Sequence, residues 1–177
     1  MVTKKKNRKK GISLWLVFAL VMGLIVPITK INVNAASNSK KVLVVYFSAT
    51  GTTRSAAKKI KKATKGKLYQ IKAADPYTEE DLDYSNDDCR ANTEQQDEQT
   101  RPEIDGTVKN MDQYDIIFLG FPIWWGKEPM IIRTFLESYD LEGKKIIPFC
   151  TSGGSGISGS MEGIETAAEN ATVEKGK

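Results

Sequence analysis

The chain has 177 residues, 40% of them hydrophobic, and a formal net charge of +4 from 26 Lys and Arg against 22 Asp and Glu, with no His anywhere. Without His it cannot build a Ser-His-Asp triad, a Cys-His pair or the usual imidazole metal site. Its two cysteines, Cys89 and Cys150, form no Cys-x-x-Cys pattern, which excludes a thioredoxin-like dithiol and a zinc ribbon.

At the N-terminus, Lys4, Lys5, Lys6, Arg8, Lys9 and Lys10 make a positive block ahead of an apolar run from Ile12 to Ile28. Behind the run, Val33 and Ala35 have the spacing a signal peptidase expects, so residues 1–36 read as a cleavable secretory signal ending near Ala35 or Ala36. An uncleaved anchor fits less well. The run is short for the roughly 20 residues of a membrane span, and Pro27 interrupts its end. Neither Ala36 nor Ser37 is a lipid-attachment Cys. The expectation is a secreted or loosely surface-associated protein with no stable membrane span after cleavage. Residues 1–36 hold 7 of the 26 Lys and Arg and none of the 22 acids, which leaves 19 basic against 22 acidic residues in the mature part. That balance gives no reason to invoke nucleic acid. Residues 37–177 are one domain by length.

The run Val42 to Phe47 is β-branched and aromatic without alternation, the pattern of a strand buried on both faces. A Ser/Thr/Gly turn then opens a helix from Arg54 to Ala63, with Ala56, Ala57, Ile60 and Ala63 on one face and lysines on the other. Leu68 to Ile71 is a short second strand and Asp115 to Phe121 a third. A helix follows Pro129 from Met130 to Tyr139, where Pro suits the first turn. Lys145 to Cys150 makes a fourth strand, and Ser160 to Glu169 the next helix. Such alternation predicts a parallel sheet wound by right-handed crossovers. Between the second and third strands, Asp75 to Thr107 holds twelve acids against Arg90 and Arg101 alone. It reads as a solvated, partly helical crossover, or alternatively as an acidic docking surface for a redox partner. Cys89 and Cys150 could pair after export, but a buried, inert Cys150 at the end of a strand is the simpler reading.

Three loops follow strands. Ser48-Ala49-Thr50-Gly51-Thr52-Thr53 opens the first helix, where unpaired amides and the helix dipole attract an anion, although Ser and Thr there also serve as ordinary caps. No Lys follows the glycine, so it is not a nucleotide-triphosphate loop. Pro122-Ile123-Trp124-Trp125-Gly126 brings two indoles to the same edge, either to stack on a flat ring or to seal a core. Thr151-Ser152-Gly153-Gly154-Ser155-Gly156 has the composition of a linker but lies between a strand and a helix, where bare backbone can offer N–H groups to a ligand. All three converge on the carboxyl edge, where open parallel sheets bind ligands.

A phosphate cradle, an aromatic face and a backbone donor loop together describe a site for FMN. From Lys41 onward the chain resembles the flavodoxin family, and more closely its short variant with Gly120-Phe121-Pro122-Ile123-Trp124-Trp125-Gly126 and Thr151-Ser152-Gly153-Gly154-Ser155-Gly156. The resemblance implies a three-layer α/β sandwich with a parallel sheet of order 2-1-3-4-5. It also implies that Ser48, Thr50, Thr52 and Thr53 hold the phosphate, with Ala49 and Gly51 contributing backbone. Trp125 looks like the family's inner-face aromatic, and the loop from Thr151 to Gly156 like the one at the pyrimidine edge. That loop lacks the outer-face Tyr of many flavodoxins, and Lys127 stands where an acid is frequent. Ala171-Thr172-Val173 supplies only the start of a fifth strand, so the last strand and helix are expected to be truncated. The implied function is that of an exported FMN protein that passes electrons to an unidentified partner protein or small acceptor. The alternatives are an NAD(P)H-dependent FMN or quinone reductase on the same fold, and a non-redox surface-binding module.

Overall fold

The structure, a computed structural model, describes residues 39–175. The expected signal segment lies outside the described residues.

Five parallel strands, β1 (Val42–Tyr46), β2 (Lys67–Gln70), β3 (Ile116–Pro122), β4 (Lys145–Thr151) and β5 (Thr172–Val173), lie in the order β2-β1-β3-β4-β5. The helices are α1 (Thr52–Thr64), α2 (Arg90–Gln96), α3 (Met130–Glu137) and α4 (Met161–Ala167). Each predicted strand is present to within about two residues, the usual ambiguity of element ends. The acidic crossover is mostly irregular, with α2 as its one α-helix.

Side chains alternate across each strand. Leu43 and Val45 of β1, Ile117, Leu119 and Phe121 of β3 and Ile146 of β4 face a large core with Ile131, Ile132, Phe135 and Leu136 of α3 and Ile164 of α4. Each such side chain contributes about 1.5–3 kcal/mol by leaving water. The opposite face is thinner. Val44 and Tyr46 meet Ala57 and Ile60 of α1, the only helical residues in that cluster among the described residues, and Phe118 and Phe149 stay half-buried. Helices on both faces give the three-layer sandwich. Gly120 is required in β3 because a Cβ there would overlap the Phe149 ring on β4.

The register positions the site. Tyr46 pairs with Gly120 and Pro122 with Thr151, so the ends of β1, β3 and β4 lie side by side and their following loops share one edge.

Candidate functional site

Between these loops lies a cavity of about 370 Å³, within the usual range for small-molecule sites. The first loop builds one wall. Gly51 takes φ +91°, a conformation glycine adopts freely, and its amide donates to Ser48 Oγ at 3.1 Å. The first intrahelical bond runs from the Ser55 amide to the Gly51 carbonyl at 3.3 Å, so the amides of Thr52, Thr53 and Arg54 have no helical acceptor. No acid stands in the first turn of this 13-residue helix to compete for them. Thr53 is buried, and its Oγ1 lies 2.8 Å from Thr151 Oγ1, tying the first loop to the third.

The second loop is a two-residue hairpin. Trp124 and Lys127 exchange both backbone hydrogen bonds, at 2.9 and 3.0 Å, around Trp125 at φ +47° and Gly126 at φ +83°. Positive φ at both central residues is the geometry of a type I′ turn, ordinarily built from Asn-Gly. The two indoles diverge. Trp124 is buried edge-on against Phe47 and Tyr77, at centroid distances of 5.6 and 5.4 Å, and still lines the cavity. Trp125 stands 48% exposed at the tip, its ring 4.7 Å from that of Tyr84. Gln95 of α2 fastens the hairpin: its Nε2 donates to the carbonyls of Trp124 (3.1 Å) and Glu128 (3.2 Å), and its Oε1 accepts from the Met130 amide (3.2 Å).

In the third loop, Ser152 Oγ donates to the Ser155 carbonyl at 2.5 Å and accepts from the Gly154 amide at 3.2 Å, which turns the chain back on itself. Gly153, Gly154 and Gly156 face open space and none has a positive φ.

Eleven of the seventeen residues expected at the site line the cavity: Ser48, Ala49, Thr50, Thr52, Thr53, Pro122, Ile123, Trp124, Thr151, Ser152 and Gly153. Gly51, Trp125, Gly126, Gly154, Ser155 and Gly156 shape the loops without lining it. Tyr84, from the acidic crossover, also lines it. The signal for Tyr84 was its aromatic ring, shared only with Tyr77 in an otherwise polar stretch. Tyr77 is the deeper of the two, with its hydroxyl 2.5 Å from Glu94 and the Arg90 guanidinium 4.1 Å over its ring. Burial, then the Glu94 hydrogen bond, pushes its phenol far up, so it stays protonated. Burial also raises the Tyr84 phenol and the Cys150 thiol. Both cysteines are free.

Among the described residues no charged side chain lines the cavity. Its polar groups are hydroxyls and amides, which hold an anion by hydrogen bonding and helix dipole rather than by a counter-charge. Hydroxyls and unpaired amides beside aromatic rings suit a ligand that joins a phosphate to a flat ring.

The chain matches a family model described as Flavodoxin over residues 41–177. Among solved structures it is similar to a candidate flavoprotein from Bacteroides eggerthii DSM 20697, with 44% identity and a TM-score of 0.75 over 77% of this chain and 86% of that one. A candidate flavoprotein from Bacteroides uniformis ATCC 8492 gives 44% identity and 0.75 over 77% and 88%. A flavoprotein from Lactobacillus acidophilus NCFM in complex with FMN gives 26% identity and 0.58 over 78% and 92%. No curated protein matches the chain.

Proposed function

Because this chain belongs to the flavodoxin family, we propose that it is an exported protein that binds FMN non-covalently in the cavity at the ends of β1, β3 and β4 and passes electrons. One observation carries the reading: a cavity whose lining combines the hydroxyls of Ser48, Thr50, Thr52 and Thr53 with Trp124 and Tyr84, at the terminus of α1 whose first amides have no helical acceptor. The FMN complex of the Lactobacillus acidophilus relative supports the choice of ligand. The basic, then apolar N-terminal sequence supports export.

In this reading Ser48, Thr50 and Thr52, with the free amides of Thr52, Thr53 and Arg54, hold the phosphate. Thr53 and Thr151 join the phosphate loop to the loop whose Ser152 and Gly153 border the ring end. Trp124 and Tyr84 wall the ring and exclude water from it. Bound FMN supplies the electron-accepting chemistry, and the protein adjusts its potential through contacts and charge. That role asks for no acid-base side chain, in keeping with a chain without His. The test is the visible spectrum of the purified protein before and after titration with FMN and riboflavin. A flavin spectrum with tighter binding of FMN supports the reading; a colourless protein that binds neither flavin overturns it. A carrier oxidises NADH or NADPH slowly or not at all, whereas steady turnover with a quinone at about 1 per second or faster would make it a reductase.

A further inference from the structure

The stretch from the hairpin into α3 and the segment from Gly159 into α4 meet closely at two points. A Cβ on Gly159 would overlap the Gly126 carbonyl oxygen. One on Gly163 would overlap Glu128 Oε1 and lie 2.6 Å from an Arg133 amino nitrogen. Neither glycine has a positive φ. Unlike Gly153, Gly154 and Gly156, these two are demanded by close approach of one segment to another.

Glu128 sits at the centre of this contact with 0% of its surface exposed. Its Oε1 accepts from Arg133 Nε at 2.8 Å, and its Oε2 has no partner among the described residues. The other buried side-chain atom without a partner among the described residues is Ser160 Oγ, three residues before Gly163. A buried carboxylate is costly unless it is paired, and replacement by an apolar residue is often tolerated, so its presence here calls for a role beyond packing. It does not line the cavity. The other ties on the hairpin come from the crossover: Gln95 through its amide, and Glu98 through Lys127 at 2.6 Å. On the α4 side, the Gly126 carbonyl lies against Gly159 and Glu128 Oε1 against Gly163.

We propose that Glu128 is a positioning residue for the cofactor site. Clamped by Arg133 and seated against Gly163, it keys the hairpin to the segment behind the Thr151–Gly156 loop. The two loops that border the ring are thereby held at one separation. The ligand part of this inference rests on the FMN reading; the mechanical part does not.

The experiment uses Glu128→Gln, which keeps the shape and removes the charge. Hydrogen exchange of the Trp124 and Lys127 amides is measured without ligand, and the FMN dissociation constant and the potential of the bound flavin are measured at saturation. Losing one charge-assisted bond predicts amide exchange about tenfold faster and FMN binding about tenfold weaker, with the potential displaced. Unchanged exchange overturns the key. Faster exchange with wild-type affinity and potential also overturns it, because the carboxylate is then only structural. Gly163→Ala keeps every charge and places a methyl against Oε1. It is expected to act in the same direction although Ala is the better helix former, and it decides the matter if Glu128→Gln does not fold. If the wild-type protein takes up no FMN, the functional reading fails, and the exchange rates alone judge whether Glu128 keys the loops.

Discussion

A tryptophan at φ +47° is held there by its neighbours, because a non-glycine residue in the left-handed region carries about 1–3 kcal/mol of strain. The paired backbone bonds of Trp124 and Lys127 enforce it. Trp125→Gly releases the strain but loses the edge contact with Tyr84, so its net effect on chemical denaturation is expected to stay within about 1 kcal/mol. The potential of the bound flavin is still expected to move, since the exposed indole is gone. Trp124→Ala, by contrast, empties a core position and is expected to cost about 3–5 kcal/mol. The two hydroxyls of the cradle separate in the same way. Thr50 is exposed, and Thr50→Ala is expected to weaken FMN by about 1–1.5 kcal/mol while leaving riboflavin binding and stability alone. Thr53→Ala also breaks the contact with Thr151 and is expected to lower apo stability by about 0.5–1.5 kcal/mol. Fluorescence titration with both ligands, beside urea unfolding, measures each effect. Equal losses for FMN and riboflavin in Thr50→Ala would show that this residue does not meet the phosphate.

Strands and helices were legible in the sequence wherever the apolar pattern was strong. The unbroken run Val42–Phe47 could only be a central strand, and α3 announced itself by Pro129 and the five core residues that follow. The three loops were legible because each is short and follows a strand. What escaped was carried by the acidic crossover, where Tyr77, Tyr84, Asn92, Glu94 and Gln95 are spread through polar sequence with no period. Long-range pairs such as Gln95 with Trp124, or Tyr84 with Trp125, leave no local trace, and a Gln among Glu94, Gln96, Asp97 and Glu98 looks like solvent-facing surface. Which of Trp124 and Trp125 lines the cavity was hidden as well, because it depends on a turn normally written Asn-Gly. One tie of this element is sensitive to acid. Lys127, by hydrogen bond and charge, and then Arg133, hold the Glu98 carboxyl below its usual range. A lowered folded value means that the stabilisation is present above the ordinary Glu range and is lost as pH falls through the folded value. Because Glu98 is exposed, the effect is small and screened by salt. Wild type and Glu98→Gln are expected to match in stability well below pH 4 and to diverge above it, which paired denaturation curves across that range can check.

At the scale of the whole molecule, the two faces of the sheet are unequally covered. The face that packs on α3 and α4 holds most of the core, while among the described residues that of Val44 and Tyr46 has helical partners only from α1 and leaves Phe118 and Phe149 half-buried. Ligand binding is expected to add to this modest architecture by mass action: FMN at a hundredfold excess over its dissociation constant should raise stability by about 2.7 kcal/mol, read as a rise in melting temperature that riboflavin reproduces less well. The uncharged cavity carries one more consequence, concerning ionic strength. A site that grips phosphate with Arg or Lys loses affinity as salt rises, because ions screen the attraction. Among the described residues no charged side chain lines the cavity, and residues 37–177 carry 19 basic against 22 acidic side chains. If residues 1–36 are removed as the export reading proposes, the net charge meeting an incoming dianion is weakly repulsive. Added salt should therefore leave FMN affinity unchanged or slightly tighten it, and association should not slow. A dissociation constant that climbs steadily between low and high salt would mean that a cation, Arg54 at the head of α1 being nearest in sequence, swings in to meet the phosphate.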